Sequence, residues 1–150
     1  MSDYVPVQVR GVYFVSTITG PQAVVFISGY SERMVPIYIG LAEAISIDIA
    51  LRNETTPRPM THDLMKSVMD NFNIRIDRIL IDDLDEQVFY ARLMLKDTDR
   101  EIEIDARPSD CIALAVRTSA KIFIDREIMD KVAVSKQDIE AAGNLEEFFE

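Results

Sequence analysis

The sequence predicts a single α+β domain in which a mixed, largely antiparallel β-sheet is packed by several short helices. Strand-like alternation fills most of the first forty positions, helical periodicity follows, and further strands occupy residues 74–105. At 150 residues and 48% hydrophobic content, the chain has enough apolar material for one core. We therefore expect one domain over residues 1–134 and an acidic, helical C-terminal appendage over residues 135–150.

The first three predicted strands lie in the N-terminal third. Alternating valines over residues 5–9 lose their phase at Gly11, which is typical of a β-bulge. A nearly continuous apolar strand follows over residues 23–28. The third strand, 34–39, contains Pro36, and proline favours an edge strand or a strand end because it cannot donate a ladder hydrogen bond.

The rest of the chain mixes helices and strands. The three strands in its middle are joined by short acidic turns, which predicts an antiparallel meander. Ser135 with Asp138 is typical of a further helix start. The predicted elements are a buried helix over 41–52, an amphipathic helix over 63–73, strands over 74–81, 88–95 and 100–105, a buried helix over 109–118, a strand over 122–124 and a helix over 125–133.

The charge balance limits the partners that the chain can attract. The net charge is −10, which argues against general attachment to nucleic acid through a basic surface. No apolar run is long enough to span a bilayer, and the N-terminus lacks the pattern of a signal peptide, so we expect a cytoplasmic protein away from membranes. Cys111 is the only cysteine, which excludes an internal disulfide and a multi-cysteine zinc site.

Two stretches share one order of residues: arginine, proline, then a hydroxyl residue and an aspartate, directly before a helical segment. They are residues 58–63 and 107–110. Proline suits the first helical turn, and the hydroxyl residue is expected to be the N-cap. A helix N-terminus beside a guanidinium can bind phosphate. The predicted phosphate-binding residues are Arg58, Arg107, Thr61 and Ser109.

The only histidine of the chain, His62, lies inside the first of these motifs. A neutral imidazole can take or give a proton near neutral pH, which suits a base acting on water or on a ribose hydroxyl. The alternative is a helix-start histidine that only bonds to its loop. With Asp63 and Asp105 as possible partners, we predict a catalytic set of His62, Asp105 and Asp63.

Several carboxylates accompany the motifs and predict a cation site. Phosphodiester hydrolysis needs charge neutralised at the phosphate, and carboxylates can hold Mg²⁺ or Mn²⁺ for this purpose. The predicted metal ligands are Asp105, Asp110 and Glu43. The competing interpretations are that Asp110 only caps its helix, that Asp105 pairs with an arginine, and that Glu43 is a satisfied core carboxylate.

Five separated motifs, read in order, resemble the bifunctional nuclease domain family. The resemblance covers roughly residues 5–133, and it implies a mixed α+β domain that is frequently dimeric and whose members cleave both DNA and RNA. It assigns no catalytic residue. The motifs are Pro36-Ile37-Tyr38-Ile39-Gly40, Glu43-Ala44, Arg58-Pro59-Met60-Thr61-His62-Asp63-Leu64, Phe89-Tyr90-Ala91-Arg92-Leu93 and Asp105-Ala106-Arg107-Pro108-Ser109-Asp110.

Two functions of different classes are compatible with these residues. The first is a metal-assisted phosphodiesterase, a nuclease acting on DNA and RNA. The second is a non-catalytic dimeric module that binds a nucleotide or another small anionic ligand at the two Arg-Pro helix N-termini. The resemblance favours the first, and the acidic composition favours the second.

Two kinds of protein partner are expected. The resemblance, the predicted edge strand with Pro36 and the high apolar content of a small domain favour a homo-oligomer, most simply a dimer. The end of the chain is similar to the peptide by which replication proteins bind the sliding clamp, with Leu145, Phe148 and Phe149 as anchors. Ala142 stands where that motif has glutamine, and the alternative is a tail that covers its own core or its dimer partner.

Overall fold

The computed structural model describes residues 3–29, 31, 33–135 and 143–144 of the chain. It is a single α+β domain, as predicted, with one mixed sheet and four helices in its described part. The elements are β1 (Tyr4–Thr17), β2 (Gly20–Ser28), β3 (Met34–Ile39), α1 (Leu41–Leu51), α2 (Thr61–Asn71), β4 (Arg75–Asp85), β5 (Val88–Lys96), β6 (Glu101–Ala106), α3 (Pro108–Thr118), β7 (Lys121–Asp125), α4 (Arg126–Val132) and β8 (Gly143–Asn144).

Seven strands form one path in the order β3-β2-β1-β7-β4-β5-β6, and the two-residue β8 pairs with β1. Within the described chain, the pair β4–β7 is parallel and the other strand pairs are antiparallel, which confirms the mixed, largely antiparallel sheet. The three middle strands, β4, β5 and β6, form the predicted meander. Strand β3 stands at one end of this path, where Pro36 fits because an edge strand has a free side.

The long strand β1 pairs with a different neighbouring strand along each part of its length. Its first residues pair with β7, and from Gln8 onward it pairs with β2. The register with β2 shifts between Val9 and Gly11, and Gly11 has φ +155°, a backbone conformation that favours glycine. The predicted bulge is therefore confirmed, and it lies shortly after the strand leaves β7.

The core lies between the sheet and the helices α1 and α3. Helix α3 is buried along most of its length, and strands β2, β4 and β7 supply fully buried aliphatic side chains. Cys111 is part of this core, and burial raises the pKa of its thiol to about 12, so the thiol is neutral and unreactive at physiological pH.

Helix α2 differs from the expectation for an amphipathic surface helix. It begins at Thr61 rather than at residue 63, and much of its apolar side faces solvent, with Met69 alone among its large apolar residues packed against the core. The reason is that α2 packs mainly on α3, so its contact with the domain is narrow.

The C-terminal expectations fall mostly outside the described residues. Asp138 of the expected helix start and the clamp-binding anchors Leu145, Phe148 and Phe149 belong to this part. Of the predicted helical appendage, Ser135, Gly143 and Asn144 are described: Ser135 lies outside any helix, and Gly143 and Asn144 form a strand against β1. No helix in the described part of the chain is long and apolar enough to cross a membrane.

A matched pair of isoleucines tests the position of the core. Ile79 in β4 is fully buried, whereas Ile18 in the turn after β1 is fully exposed. We expect Ile79→Ala to lower the free energy of unfolding by about 2–5 kcal/mol, because it removes buried methyl groups and leaves a cavity. Ile18→Ala should change it by less than about 0.5 kcal/mol. Urea denaturation of both variants measures the difference, and equal losses would contradict this assignment.

Candidate functional site

Three helices meet at one imidazole. The Nδ1 atom of His62 lies 2.7 Å from the Ser46 hydroxyl of α1, and its Nε2 atom lies 2.9 Å from Asp110 Oδ1 of α3. His62 itself is in the first turn of α2 and is only 6% exposed. The two Arg-Pro motifs, far apart in sequence, are therefore joined by a direct side-chain hydrogen bond.

The partners of His62 determine where its proton lies. Asp110 is partly buried, which opposes its ionisation, but hydrogen bonds from Arg107 and His62 outweigh that effect and lower its pKa. An ionised carboxylate only accepts hydrogen bonds, so Nε2 carries the hydrogen. In the neutral ring, Nδ1 then accepts from the Ser46 hydroxyl. Both ring nitrogens are occupied, and neither is free to accept a proton from a substrate in this arrangement.

Arg107 is the exposed end of this network. It is the N-cap residue of α3, and its side chain is 65% exposed. Its Nε and Nη2 atoms donate to the two oxygens of Asp110 at 2.9 and 3.2 Å, and its Nη1 atom donates to Glu43 Oε1 at 2.8 Å. These hydrogen bonds, with those to Asp110 the stronger, raise the pKa of Arg107, so it stays charged.

A second arginine holds the start of α2 against α3. Arg117, near the end of α3, is only 7% exposed and donates to Asp63 Oδ1 at 2.8 Å and to the Ser46 carbonyl at 3.3 Å. The other oxygen of Asp63 accepts from the Met60 backbone N–H at 2.9 Å. The hydrogen bond from Arg117, followed by that from Met60, lowers the pKa of Asp63. Asp63 therefore holds the start of α2 in place.

Arg58 and Asp105 do not join this network. Arg58 lies exposed in the loop before α2, where its carbonyl accepts from Thr56, and no ion pair links its guanidinium to another described residue. Asp105 lies opposite Arg92 across the β5–β6 pair, whereas the neighbouring Ala91 is buried on the helix side. Asp105 consequently faces away from the helices that build the site.

The expected N-cap residues are corrected by the structure. Met60, not Thr61, is the N-cap of α2, and the backbone N–H of Met60 donates to the Asp63 carboxylate. Arg107, not Ser109, is the N-cap of α3, because Pro108 already occupies the first helical position. Thr61 is exposed and Ser109 is buried, so a bound phosphate would meet Thr61 more readily than Ser109.

The carboxylates predicted to bind a metal do not converge in this arrangement. Glu43 and Asp110 both bond to Arg107, and Asp105 faces the other side of the sheet. In the described part of the chain, no group of three or more His, Cys, Asp or Glu residues has an arrangement that could hold a metal ion. The set Asp105, Asp110 and Glu43 thus does not fit a three-ligand metal centre here.

Two residues of the network were missed by reading the sequence. Ser46 follows Glu43 by three positions on α1, so both lie on one helix face, and this spacing was a usable signal. Arg117 carried no such signal, because a basic residue in the last turn of a helix is ordinary. Only the packing of α3 against α2 gives it a role.

The lowered pKa of Asp110 has a consequence for stability. A depressed carboxylate pKa contributes stability above the ordinary value of 3.8, and this contribution is lost as the pH falls through the folded pKa. We expect Asp110→Asn to lower the free energy of unfolding by about 1–3 kcal/mol at neutral pH, because an amide nitrogen would face Arg107. Denaturant titrations across pH should show this gap closing in acid. A gap independent of pH would contradict the charge-based explanation.

Comparison with known proteins identifies the family. A model of the bifunctional nuclease domain matches residues 24–137, most of the chain. The match includes β3, the three helices that meet at His62, and all of the network between Glu43 and Arg117.

Relatives support this assignment. An uncharacterized protein of Mycobacterium tuberculosis is 36% identical over 98 residues, which cover 65% of this chain and 58% of the relative. Bifunctional nuclease 1 of Oryza sativa is 29% identical over 101 residues, 65% of this chain and 30% of the relative. Bifunctional nuclease 2 of Oryza sativa is 28% identical over 111 residues, 72% of this chain and 34% of the relative. The chain thus spans between about a third and three fifths of these relatives, and it belongs to the bifunctional nuclease domain family.

Proposed function

We propose that this protein is a nuclease that hydrolyses phosphodiester bonds in DNA and RNA, with the phosphate bound by Arg107 at the start of α3. Family membership supports the reaction class, and one observation supports the site. Arg107 is exposed, yet its guanidinium is held by two carboxylates from different helices, Asp110 and Glu43. An arginine fixed in this way can contact a substrate without first being ordered.

The guanidinium retains donors for a substrate. It carries five N–H groups, and its bonds to Asp110 and Glu43 use three of them. Counting described partners only, one N–H remains on each terminal nitrogen. Two such N–H groups match two phosphate oxygens, and the positive end of α3 adds to the attraction.

Asp110, Glu43 and His62 act as positioning residues in this proposal. Asp110 and Glu43 set the direction of Arg107, and His62 sets the direction of Asp110. The sequence prediction of His62 as a proton-transfer group requires the ring to release Ser46 or Asp110 first. In this proposal the exposed Thr61, next to His62 in the chain, also contacts the phosphate.

A non-catalytic nucleotide-binding module is the second candidate, and a specific observation favours it. His62 is buried with both nitrogens bonded, and two carboxylates surround the single exposed cation Arg107 in this network. Such a site binds one small anion more readily than it transfers protons. Binding of a nucleotide without turnover, measured by calorimetry beside the cleavage assay, would favour this module over the nuclease.

The two arginines of the paired motifs provide a test of the phosphate site. We expect Arg107→Ala to reduce cleavage of single-stranded DNA and RNA by about 100-fold, the scale of one transition-state donor. Arg58→Ala should retain activity within a few fold, because Arg58 lies outside the network. Arg107→Lys should not restore activity, since an ammonium cannot bond both carboxylates and phosphate in one plane. Equal activity of the wild type and the three variants, at equal stability, would point to a contaminating nuclease.

Metal dependence is a separate prediction. Arg107 is bonded to two carboxylates, Asp110 and Glu43, so its single positive charge is more than balanced before a polyanion approaches. Mg²⁺ is commonly held by one or two carboxylates together with substrate phosphates, so Asp110 and Glu43 would need no third protein ligand, and we expect cleavage to require added Mg²⁺ or Mn²⁺ and to stop with EDTA. Cleavage that persists at full rate in EDTA, and that Arg107→Ala abolishes, would show a metal-independent enzyme at the same site.

A further inference from the structure

A gap separates two strands that pair with the same edge of β1. On this edge, β1 pairs with β7 over residues 4–7 and with β8 at Tyr13 and Phe14, while its other edge pairs with β2. In the described part of the chain, no strand pairs with residues 8–12 on the edge that β7 and β8 share. An unpaired strand edge offers backbone N–H and C=O groups to another extended segment, so this gap is able to accept one more strand.

A groove opens beside this gap. Its volume is about 880 Å³, which lies within the range of about 300–1,000 Å³ that is usual for ligand-binding clefts. It lies at the ends of α1 and α3, whereas the network around Arg107 lies at their starts, so it is separate from the candidate site. We call it the β1 groove, and its lining includes Gln8, Val9, Arg10, Leu51, Val116 and Lys121.

The charged side chains in the described lining of the β1 groove are both basic. They are Arg10 and Lys121, and both are exposed. Arg10 Nε donates to the Ser28 hydroxyl at 2.5 Å, but no ion pair links Arg10 or Lys121 to another described residue. In a chain of net charge −10, a groove with two such cations and mostly apolar walls favours an occupant that is both acidic and apolar.

The register of β8 directs the residues that follow it towards this groove. Asn144 pairs with Tyr13 in antiparallel register, so each step forward along the chain from Asn144 is one step back along β1. Continued pairing would place residues 145–149 opposite residues 12–8. Five residues would then cover the five positions that have no described partner on this edge.

We propose that residues 145–149 extend β8 along the open edge of β1 and occupy the β1 groove. The sequence of this segment, Leu-Glu-Glu-Phe-Phe, is both acidic and apolar. Because it belongs to the same chain, its local concentration at the groove exceeds that of a separate partner. The proposal concerns the segment and the groove alone and does not depend on the nuclease activity.

The register places complementary groups opposite each other. With regular pairing, Glu147 lies opposite Arg10 and would supply the carboxylate that this arginine lacks among its described partners. The bulge of β1 lies at this point, and a shift of one residue would bring Glu146 to Arg10 instead. Either register therefore pairs an acid with Arg10. The aromatic residues 148 and 149 then reach the apolar end of the groove.

A tryptophan reporter tests whether the segment is docked. The chain has no tryptophan, so Phe149→Trp introduces a single one. Its emission should lie at shorter wavelength, and acrylamide should quench it several-fold less, than in the reference variant Phe72→Trp, because Phe72 is 72% exposed. The shielding should be independent of protein concentration. Emission and quenching equal to the reference, as expected for a tail that serves a separate partner such as a sliding clamp, would end the proposal. Shielding that appears only at high concentration would also end it.

Charge reversal tests whether the groove is the docking site. In the Phe149→Trp protein, the groove reversal (Arg10→Glu with Lys121→Glu) and the tail reversal (Glu146→Lys with Glu147→Lys) should each move the emission to longer wavelength. The two reversals combined should restore the shielding, because the opposite charges face each other again. The control reversal changes two exposed arginines elsewhere, Arg58→Glu with Arg75→Glu, and should have no effect.

The outcomes separate docking in the groove from other arrangements. A tryptophan that stays shielded in the groove reversal would place the segment on another surface and overturn the proposal. Failure of the combined variant to restore the shielding, with an unchanged circular dichroism spectrum, would overturn the charge pairing. If the groove reversal disturbs the fold, the tail reversal alone decides, since it changes no residue of the groove.

Discussion

The bond between His62 and Asp110 is the interaction on which the rest of the site depends. It joins the start of α2 to the start of α3, and the bond from Ser46 adds α1 to the same imidazole. Buried polar groups are costly unless they are paired, so this network stabilises the observed arrangement of the three helices. At the exposed end of the network, the hydrogen bond to Asp110 fixes the orientation of Arg107.

The sheet supports this meeting of helices. The parallel pair β4–β7 brings the C-terminal part of the chain back into the middle of the sheet, beside the first residues of β1. Helix α3 lies buried against that region, and its first turn carries Asp110. The position of the site is therefore set by the buried centre of the fold, which suits a site that acts by positioning charge.

The two Arg-Pro motifs contain residues that hold a helix in place as well as residues that could contact a substrate. Asp63 was expected near substrate, yet it binds Arg117 and the Met60 N–H and so holds the helix start. Arg58 precedes a proline just as Arg107 does, but among the described residues only Arg107 has carboxylates to orient it. Similar sequence patterns thus have different roles, because Glu43, which helps to orient Arg107, comes from a distant part of the chain.

The sequence by itself determined the elements, the bulge at Gly11, the edge position of Pro36 and the α+β class, because these follow from local periodicity and backbone restrictions. It also singled out His62, Arg107, Asp110 and Glu43. Only the tertiary structure decided which of the candidates meet, that Asp105 faces the other side of the sheet, and that the apolar side of α2 faces solvent. These outcomes depend on contacts between distant segments, which local patterns do not encode.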